Sequence, residues 1–159
     1  MSYCYTVGLN NTAIGAATTL VAIRPGAAFG CKIRRIQVTQ GSSATSAACR
    51  IQWGRKAAVL PSALTAVTPT KVDEKDAASL FTGGTSAAAG TCGVNSTTMG
   101  GGTLTLLGEA GFNNLNGFEV VFGPGEEPTF RAGSADCFVL VAPASMTGNY
   151  DWYVTFEEI

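Results

Sequence analysis

The sequence predicts an all-β protein: a jelly-roll-like β-sandwich of about eight to ten short antiparallel strands, formed by residues 1–159 as a single domain. Three observations lead to this fold class. Apolar residues recur at every second position and not at every third or fourth. Turn residues interrupt the apolar runs at short intervals. With 159 residues, 46% of them hydrophobic, the chain is long enough to form one hydrophobic core and too short to form two.

Ten short runs have the composition of strands. In chain order they cover residues 3–9, 18–24, 31–40, 49–53, 64–70, 103–107, 118–122, 128–131, 136–142 and 150–157. The last run is the clearest, because every even position from Tyr150 to Phe156 is apolar. Pairs such as Pro25-Gly26 and Asn116-Gly117 supply the turns between runs. Residues 73–80 could add a turn or two of helix.

The run at 136–142 is apolar on both faces. Its residues Cys137, Val139 and Val141 share one face, and Phe138, Leu140 and Ala142 share the other. A strand of this kind must be covered on both sides, whereas a simple two-sheet sandwich covers only the inner face. We therefore expect the outer face to contact either a loop or another subunit.

The run at 31–40 breaks the alternation. Ile36 and Val38 share one parity, and Ile33 has the opposite one. Either a β-bulge lies near Arg34-Arg35, or Ile33 points outward.

A stretch rich in Gly, Ala, Ser and Thr covers residues 82–102. A loop of about 20 residues is uncommon inside a compact domain and is usually functional or disordered. Phe81, Val94 and Met99 give this stretch a few apolar anchors. Two interpretations stay open: a flexible surface loop, or an arm that becomes ordered against a neighbouring molecule.

The composition favours a protein whose surface is covered by other proteins. Charged residues make up only 13% of the chain, roughly half of the usual share of about 25%. A lone soluble protein normally spreads charge over its surface. The alternative is an uncharged surface of Thr, Ser and Ala. The net charge of −1 argues against a nucleic-acid partner, because phosphate binding requires clustered Lys and Arg.

Nothing in the chain indicates a membrane or a secretory route. No run approaches the roughly 18 apolar residues of a transmembrane helix, and residues 1–8 lack the charged start and apolar stretch of a signal peptide. We expect synthesis in a cytoplasm. The 5 cysteines are odd in number and form no C-x-x-C pair, so we predict buried free thiols and neither a disulfide framework nor a zinc site.

The chain offers no recognisable catalytic group. It contains no histidine, which excludes Ser-His-Asp and Cys-His catalysis and every His-liganded metal site. No glycine-rich phosphate-binding motif is present. Asp73, Glu74 and Asp76 lack the spacing of a calcium loop and are mixed with Lys71 and Lys75, which favours a solvated turn. We therefore predict no enzyme activity, no cofactor and no catalytic or metal-binding residue.

One segment carries a family resemblance. Residues 111–119 read Gly-Phe-Asn-Asn-Leu-Asn-Gly-Phe-Glu and are followed by Gly125-Glu126-Glu127, while the chain ends in Val-Thr-Phe-Glu-Glu at 154–158. This pattern resembles small phage virion proteins of the capsid decoration (cement) type. The likeness is best over 110–159, moderate over 18–60 and poor in the Gly/Ala/Ser/Thr-rich stretch. It implies a jelly-roll-like fold, an oligomer on the outside of a capsid, and no catalytic residues.

The leading hypothesis is therefore a structural virion protein on the capsid surface. It would assemble with copies of itself, with a trimer favoured, and bind a major capsid protein, so that many copies stabilise the phage head. One alternative is a carbohydrate-binding jelly-roll module. Another is a minor capsid, tail or head-fibre component.

Five residues are the predicted oligomer or capsid contacts: Phe138, Leu140, Tyr153, Phe81 and Met99. Tyr153 faces outward on the last strand and fits an interface anchor at least as well as a ligand contact. Phe138 and Leu140 are chosen because their strand is apolar on both faces. If they form the contact, Leu140→Asp should release monomers.

Overall fold

The computed structural model describes residues 3–42 and 45–159, and these residues form thirteen strands and no helix. The strands are β1 (Cys4–Ile14), β2 (Thr18–Arg24), β3 (Cys31–Ser42), β4 (Ala48–Lys56), β5 (Thr65–Ala66), β6 (Thr70–Lys71), β7 (Thr82–Gly83), β8 (Thr91–Ser96), β9 (Leu104–Asn113), β10 (Phe118–Val121), β11 (Thr129–Phe130), β12 (Cys137–Ala142) and β13 (Met146–Glu158). The all-β prediction is confirmed. The turn or two of helix expected near 73–80 is wrong, since turns and bends occupy this segment.

The strands form two sheets. Sheet A contains six strands in the order β10-β3-β13-β1-β6, with β11 also paired to β3. Sheet B contains seven strands in the order β5-β8-β2-β12-β4-β9, with β7 also paired to β8. The pairs are antiparallel except for the short β7–β8 pair, which is parallel. The two sheets pack face to face as a β-sandwich.

The main core lies between the sheets and follows from the alternation seen in the sequence. Tyr150, Trp152, Val154 and Phe156 on β13 are all fully buried in this core, and the positions between them are half-buried. Each large side chain buried in this way contributes roughly 1.5–3 kcal/mol to folding. The indole N–H of Trp152 donates to the carbonyl oxygen of Leu20 on β2 at 2.9 Å, which joins the two sheets inside the core.

A second apolar cluster covers the outer face of sheet B. Cys137, Val139 and Val141 of β12 pack there against Leu64 and Ala87, which lie in the long connection between β4 and β9. The alternative of a covering loop is thus confirmed for this face. The same chain supplies the cover on both sides of β12, which explains why that strand has no polar face.

The stretch at 82–102 is neither a structureless loop nor an extended arm. Its middle forms β8, which pairs with β2 on one side and with β5 on the other, and both Cys92 and Val94 are fully buried. The small residues have a packing role. A Cβ at Gly93 would lie 2.5 Å from the carbonyl oxygen of Gly84, so only glycine fits at this position.

A β-bulge explains the broken alternation in β3. Thr155 of β13 is opposite Arg35, and the next residue, Phe156, is opposite Ile33, so Arg34 is the extra residue. The bulge alternative is confirmed, because Ile33 is fully buried. Arg34 forms ion pairs with Glu127 and Glu157.

Candidate interaction surface

One edge of the sandwich is formed by strands β9 and β10, and we call it the open edge. β9 is the last strand of sheet B and pairs with β4, while β10 is the last strand of sheet A and pairs with β3. Residues 114–117 join the two strands, so both sheets end on the same side of the molecule. Within residues 3–42 and 45–159, no further strand covers either one. A strand in this position presents backbone N–H and C=O groups that can pair with another chain.

Aromatic side chains of the core reach the surface at this edge. Trp53 of β4 lies 5.8 Å from the ring of Phe118 and 6.4 Å from that of Phe122, between ring centroids. Phe112 of β9 lies 6.0 Å from Phe118. The three phenylalanines are only partly buried, although they pack against the main core. The core is therefore open to solvent between β9 and β10.

Exposed aliphatic side chains lie on both edge strands and on the turn between them. Leu106 and Leu107 on β9 are 47% and 42% exposed, Leu115 in the turn is 52% exposed, and Val121 on β10 is 65% exposed. These four are half of the eight large apolar side chains that are exposed in the described part of the chain. A concentration of exposed apolar side chains at one edge of a domain is typical of an interaction site.

A bulge in β9 causes part of this exposure. Leu106 is opposite Gly54 of β4 and Gly108 is opposite Trp53, so Leu107 is the extra residue and has no partner in the register. The alternation of inward and outward side chains therefore shifts at Leu107. As a result, two consecutive leucines are both exposed.

The turn between the edge strands is held by a buried amide. Asn114 is fully buried. Its side-chain N–H groups donate to the carbonyl oxygens of Thr45 and Thr147 at 2.9 and 3.4 Å, and its side-chain oxygen accepts from the backbone N–H of Ala47 at 2.9 Å. Gly117 follows with a φ of 68°, a conformation that glycine adopts without strain. The Asn- and Gly-rich motif of the sequence thus fixes the end of the open edge.

Ion pairs neutralise the charges on both edge strands. Arg50 contacts Glu109 of β9 at 2.6 Å, and Arg35 contacts Glu119 of β10 at 2.6 Å. The hydrogen bond from Arg50, with a second from Gln52, lowers the pKa of Glu109. The two strands of the open edge therefore carry little net charge, which favours contact with another apolar surface.

Three of the predicted contact residues do not lie on any surface. Phe138, Leu140 and Phe81 are fully buried in the main core between the sheets. Their prediction as oligomer or capsid contacts is wrong, because the inner face of β12 faces the other sheet of the same chain. The sequence shows that β12 is covered on both sides but does not show by which molecule.

The other two predicted contact residues, Met99 and Tyr153, are partly exposed. Met99 is half-buried and packs against the outer cluster of sheet B. Tyr153 is half-buried on the outer face of sheet A, where its ring covers Gly8 and its hydroxyl donates to the side-chain oxygen of Asn10. Neither residue lies on the open edge, and their part in a contact stays a prediction.

Sequence reasoning missed the apolar residues of the open edge. The signal that could have found them is the pair Leu106-Leu107, which interrupts the alternation of the run at 103–107. Val121 gives a second signal, because it lies at a position whose parity points away from the core in the run at 118–122. Both signals indicate apolar side chains directed toward solvent.

The surface also has two shallow hollows. One has a volume of about 310 Å³ and is lined by Tyr3, Ala28, Phe29, Leu80, Glu158 and Ile159. The other has a volume of about 230 Å³ and contains Arg55 and Arg131. The described residues form no group of three or more His, Cys, Asp or Glu side chains that could hold a metal ion.

Two further findings concern membrane-spanning helices and similar proteins. Of the residues that the structure describes, none belongs to a helix with the length and apolar character needed to cross a membrane. No protein-family model, curated protein or solved structure matches this chain.

Proposed function

We propose that this protein is a non-enzymatic structural protein that assembles through its open edge, and that its setting is the surface of a phage capsid. The observation that carries the proposal is the open edge itself: its two strands and their turn carry four exposed aliphatic side chains and partly buried core aromatic rings, and its outer strand backbone is unpaired. Such an edge is a hazard for a free monomer, because it can pair with any exposed strand. Covering it with a specific partner removes the hazard and buries apolar area.

The low charge of the chain supports an assembled state. With only 13% charged residues, the surface has few groups that keep separate molecules apart. A specific interface buries about 1,600 Å² in total. We infer that the open edge supplies the apolar part of such an interface between copies of the chain, in a ring that we take to be a trimer.

The virion setting rests on the resemblance together with the strand order. The Asn- and Gly-rich motif, which resembles a motif of phage decoration proteins, forms the turn that ends the open edge. The eight main strands form the sets β10-β3-β13-β1 and β2-β12-β4-β9. We infer a jelly roll from this arrangement, since a jelly roll consists of eight strands in two four-stranded sheets. Strands β5, β7 and β8 then extend sheet B beyond β2.

In this role the chain acts by binding alone. Each ring would bind a major capsid protein at a site that repeats over the shell. Because the copies in a ring bind together, weak single contacts add up to a lasting attachment. The shell is then braced against internal pressure without any chemical step.

A carbohydrate-binding module is the second candidate, and one observation favours it. Tyr153 presents a half-buried ring on the polar outer face of sheet A, close to Asn10 and beside Asp151. An aromatic ring flanked by amide and carboxylate groups can stack on a sugar and bind its hydroxyls. A glycan array would detect such binding, and Tyr153→Ala should then abolish the signal.

Quantitative mass spectrometry of virus particles tests the leading proposal. Particles released by cells that produce the protein are purified, and the protein is counted against the major capsid protein. We expect a copy number that is a simple fraction of the capsid count. Absence from the particles, or a few copies per particle, would contradict a decoration role.

A further inference from the structure

A hollow with two arginines lies at one end of the open edge, and we call it the arginine hollow. Its volume is about 230 Å³, and it is lined by Arg55, Thr129, Phe130, Arg131, Ser134 and Asp136. Arg55 is opposite Thr105 in the β4–β9 pair. The hollow therefore lies beside the edge strand β9, at the end of the open edge that is farther from the turn at 114–117.

The guanidinium of Arg55 is held in place but has no anionic partner. It lies 5.4 Å from the centre of the Phe130 ring, and one of its N–H groups donates to the carbonyl oxygen of Thr129 at 3.4 Å. Phe130 is buried in the main core, so the ring is a fixed support. Neither Arg55 nor Arg131 forms an ion pair with any residue in the described ranges.

Positive charge exceeds negative charge around the hollow. Asp136 contributes a carboxylate to the wall, and its backbone N–H donates to the side-chain oxygen of Ser134 at 3.2 Å. Arg24 and Lys56 are close enough to the neighbouring Cys137 to favour its thiolate, although burial, the larger effect, raises the pKa of that thiol to about 12. A bound anion would find two guanidinium groups in the hollow that form no ion pair with any described residue.

We propose that the arginine hollow binds a carboxylate, namely an acidic side chain of the protein copy that docks on the open edge. A guanidinium binds a carboxylate through two parallel hydrogen bonds, and stacking on Phe130 leaves the planar edge of Arg55 free for this contact. A singly charged carboxylate fits better than a phosphate, because Asp136 repels a dianion more strongly. This inference rests on the open edge as the assembly surface.

The carboxylate site can be tested without a partner protein. The probe is N-acetylglutamate whose α-carboxyl is blocked as the N-methylamide, so that the side-chain carboxylate is its only charge. It is titrated into ¹⁵N-labelled protein while the Arg55 side-chain N–H signal is followed by NMR. We expect saturable shifts confined to the hollow. Arg55→Gln or Arg131→Gln should weaken binding about tenfold, since each removes a hydrogen bond to a charged group. Asp136→Asn should strengthen binding, because it removes the negative charge that repels the carboxylate of the ligand.

Arg50→Gln is the matched control, because Arg50 lies on the same strand but pairs with Glu109 outside the hollow. It should leave the titration unchanged. Binding that is unaffected by the Arg55 and Asp136 variants would overturn the proposal, and so would tighter binding of inorganic phosphate than of the blocked N-acetylglutamate.

A second experiment determines whether the carboxylate comes from a neighbouring copy or from a small molecule. Sedimentation of Arg55→Gln reports whether the hollow contributes to assembly, and a weaker oligomer supports an acidic side chain of a neighbouring copy. An unchanged oligomer, together with binding of the blocked N-acetylglutamate, overturns that source and assigns the hollow to a free small acid. The titration is carried out at a concentration at which sedimentation shows the chain to be monomeric, so its failure is separate from a failure of the open edge to assemble.

Discussion

The indole of Trp53 lies directly over Gly108, the residue opposite it on the edge strand β9. A Cβ at position 108 would come within 2.3 Å of Cζ2 of Trp53, so no other residue fits beneath the ring. This contact lets the indole extend toward Phe118 and Phe122 on the other sheet. The aromatic opening of the edge therefore depends on one glycine.

Gly108→Ala should destabilise the protein by about 1–3 kcal/mol, because the added methyl group forces the indole out of its position. Urea unfolding followed by tryptophan fluorescence measures the change. Gly111→Ala on the same strand is the control, since its Cβ would meet no atom nearer than 3.9 Å. Equal midpoints for the two variants would show that Trp53 does not need the glycine.

Asn114→Ala should destabilise the protein by about 1–3 kcal/mol, because the backbone groups of Thr45, Ala47 and Thr147 each lose a hydrogen bond to this buried side chain. Thermal unfolding measures the loss. Asn116→Ala changes an exposed residue of the same turn and should have little effect. A melting temperature for Asn114→Ala equal to that of the wild type would contradict the role given to the buried amide.

Leu140→Asp should unfold the chain instead of releasing folded monomers. Leu140 is fully buried in the main core, and an isolated carboxylate there has no partner or water. Leu107→Asp makes the same change at the open edge, where the side chain is 42% exposed, and should give a folded protein that assembles poorly. Circular dichroism and size-exclusion chromatography separate the two outcomes. A folded, monomeric Leu140→Asp would restore the contact predicted from the sequence.

Glu127 should make stability depend on pH in the acid range. Hydrogen bonds from the backbone N–H groups of Glu127 and Gly125, with the charge of Arg34, lower the pKa of this carboxyl. Its contribution is therefore fully present above the unfolded-state pKa of about 4.3 and is lost as the pH falls through the lower folded-state pKa. Glu127→Gln should reduce the drop in urea midpoint between neutral and acid pH.

Glu126→Gln is the control for this experiment, because Glu126 is exposed and forms no ion pair with any residue in the described ranges. Its pH profile should follow that of the wild type. If Glu127→Gln also follows the wild type, the Arg34 network does not contribute to acid stability.

Strands with long apolar runs could be predicted from the sequence. β2 has the predicted bounds, and β12 differs by one residue, because both are nearly continuous apolar runs between turn residues. β8 could not be predicted in this way. Its six residues include only Cys92 and Val94 as core side chains, and its glycine is required by close packing that is not visible in one chain segment.

The interaction surface was the least predictable feature. An apolar residue in a strand signals burial but does not say whether the same chain or another one provides the cover. For β12, the connection between β4 and β9 covers the outer face and sheet A covers the inner face, so Leu140 is a core residue. For β9, no described strand provides it, so Leu106 and Leu107 remain exposed. The difference depends on the sheet order, which is set by pairings between distant segments.

The most direct test of the open edge is the mass of the protein in solution, measured by sedimentation equilibrium over a wide concentration range. We predict that the wild-type chain forms an oligomer and that Val121→Ile preserves it, since the side chain stays apolar. The double variant Leu106→Lys and Val121→Lys should remain folded and sediment as a monomer, because lysine on an edge strand opposes pairing. A wild-type chain that stays monomeric at the highest concentration, or a double variant that assembles as well as the wild type, would contradict the account.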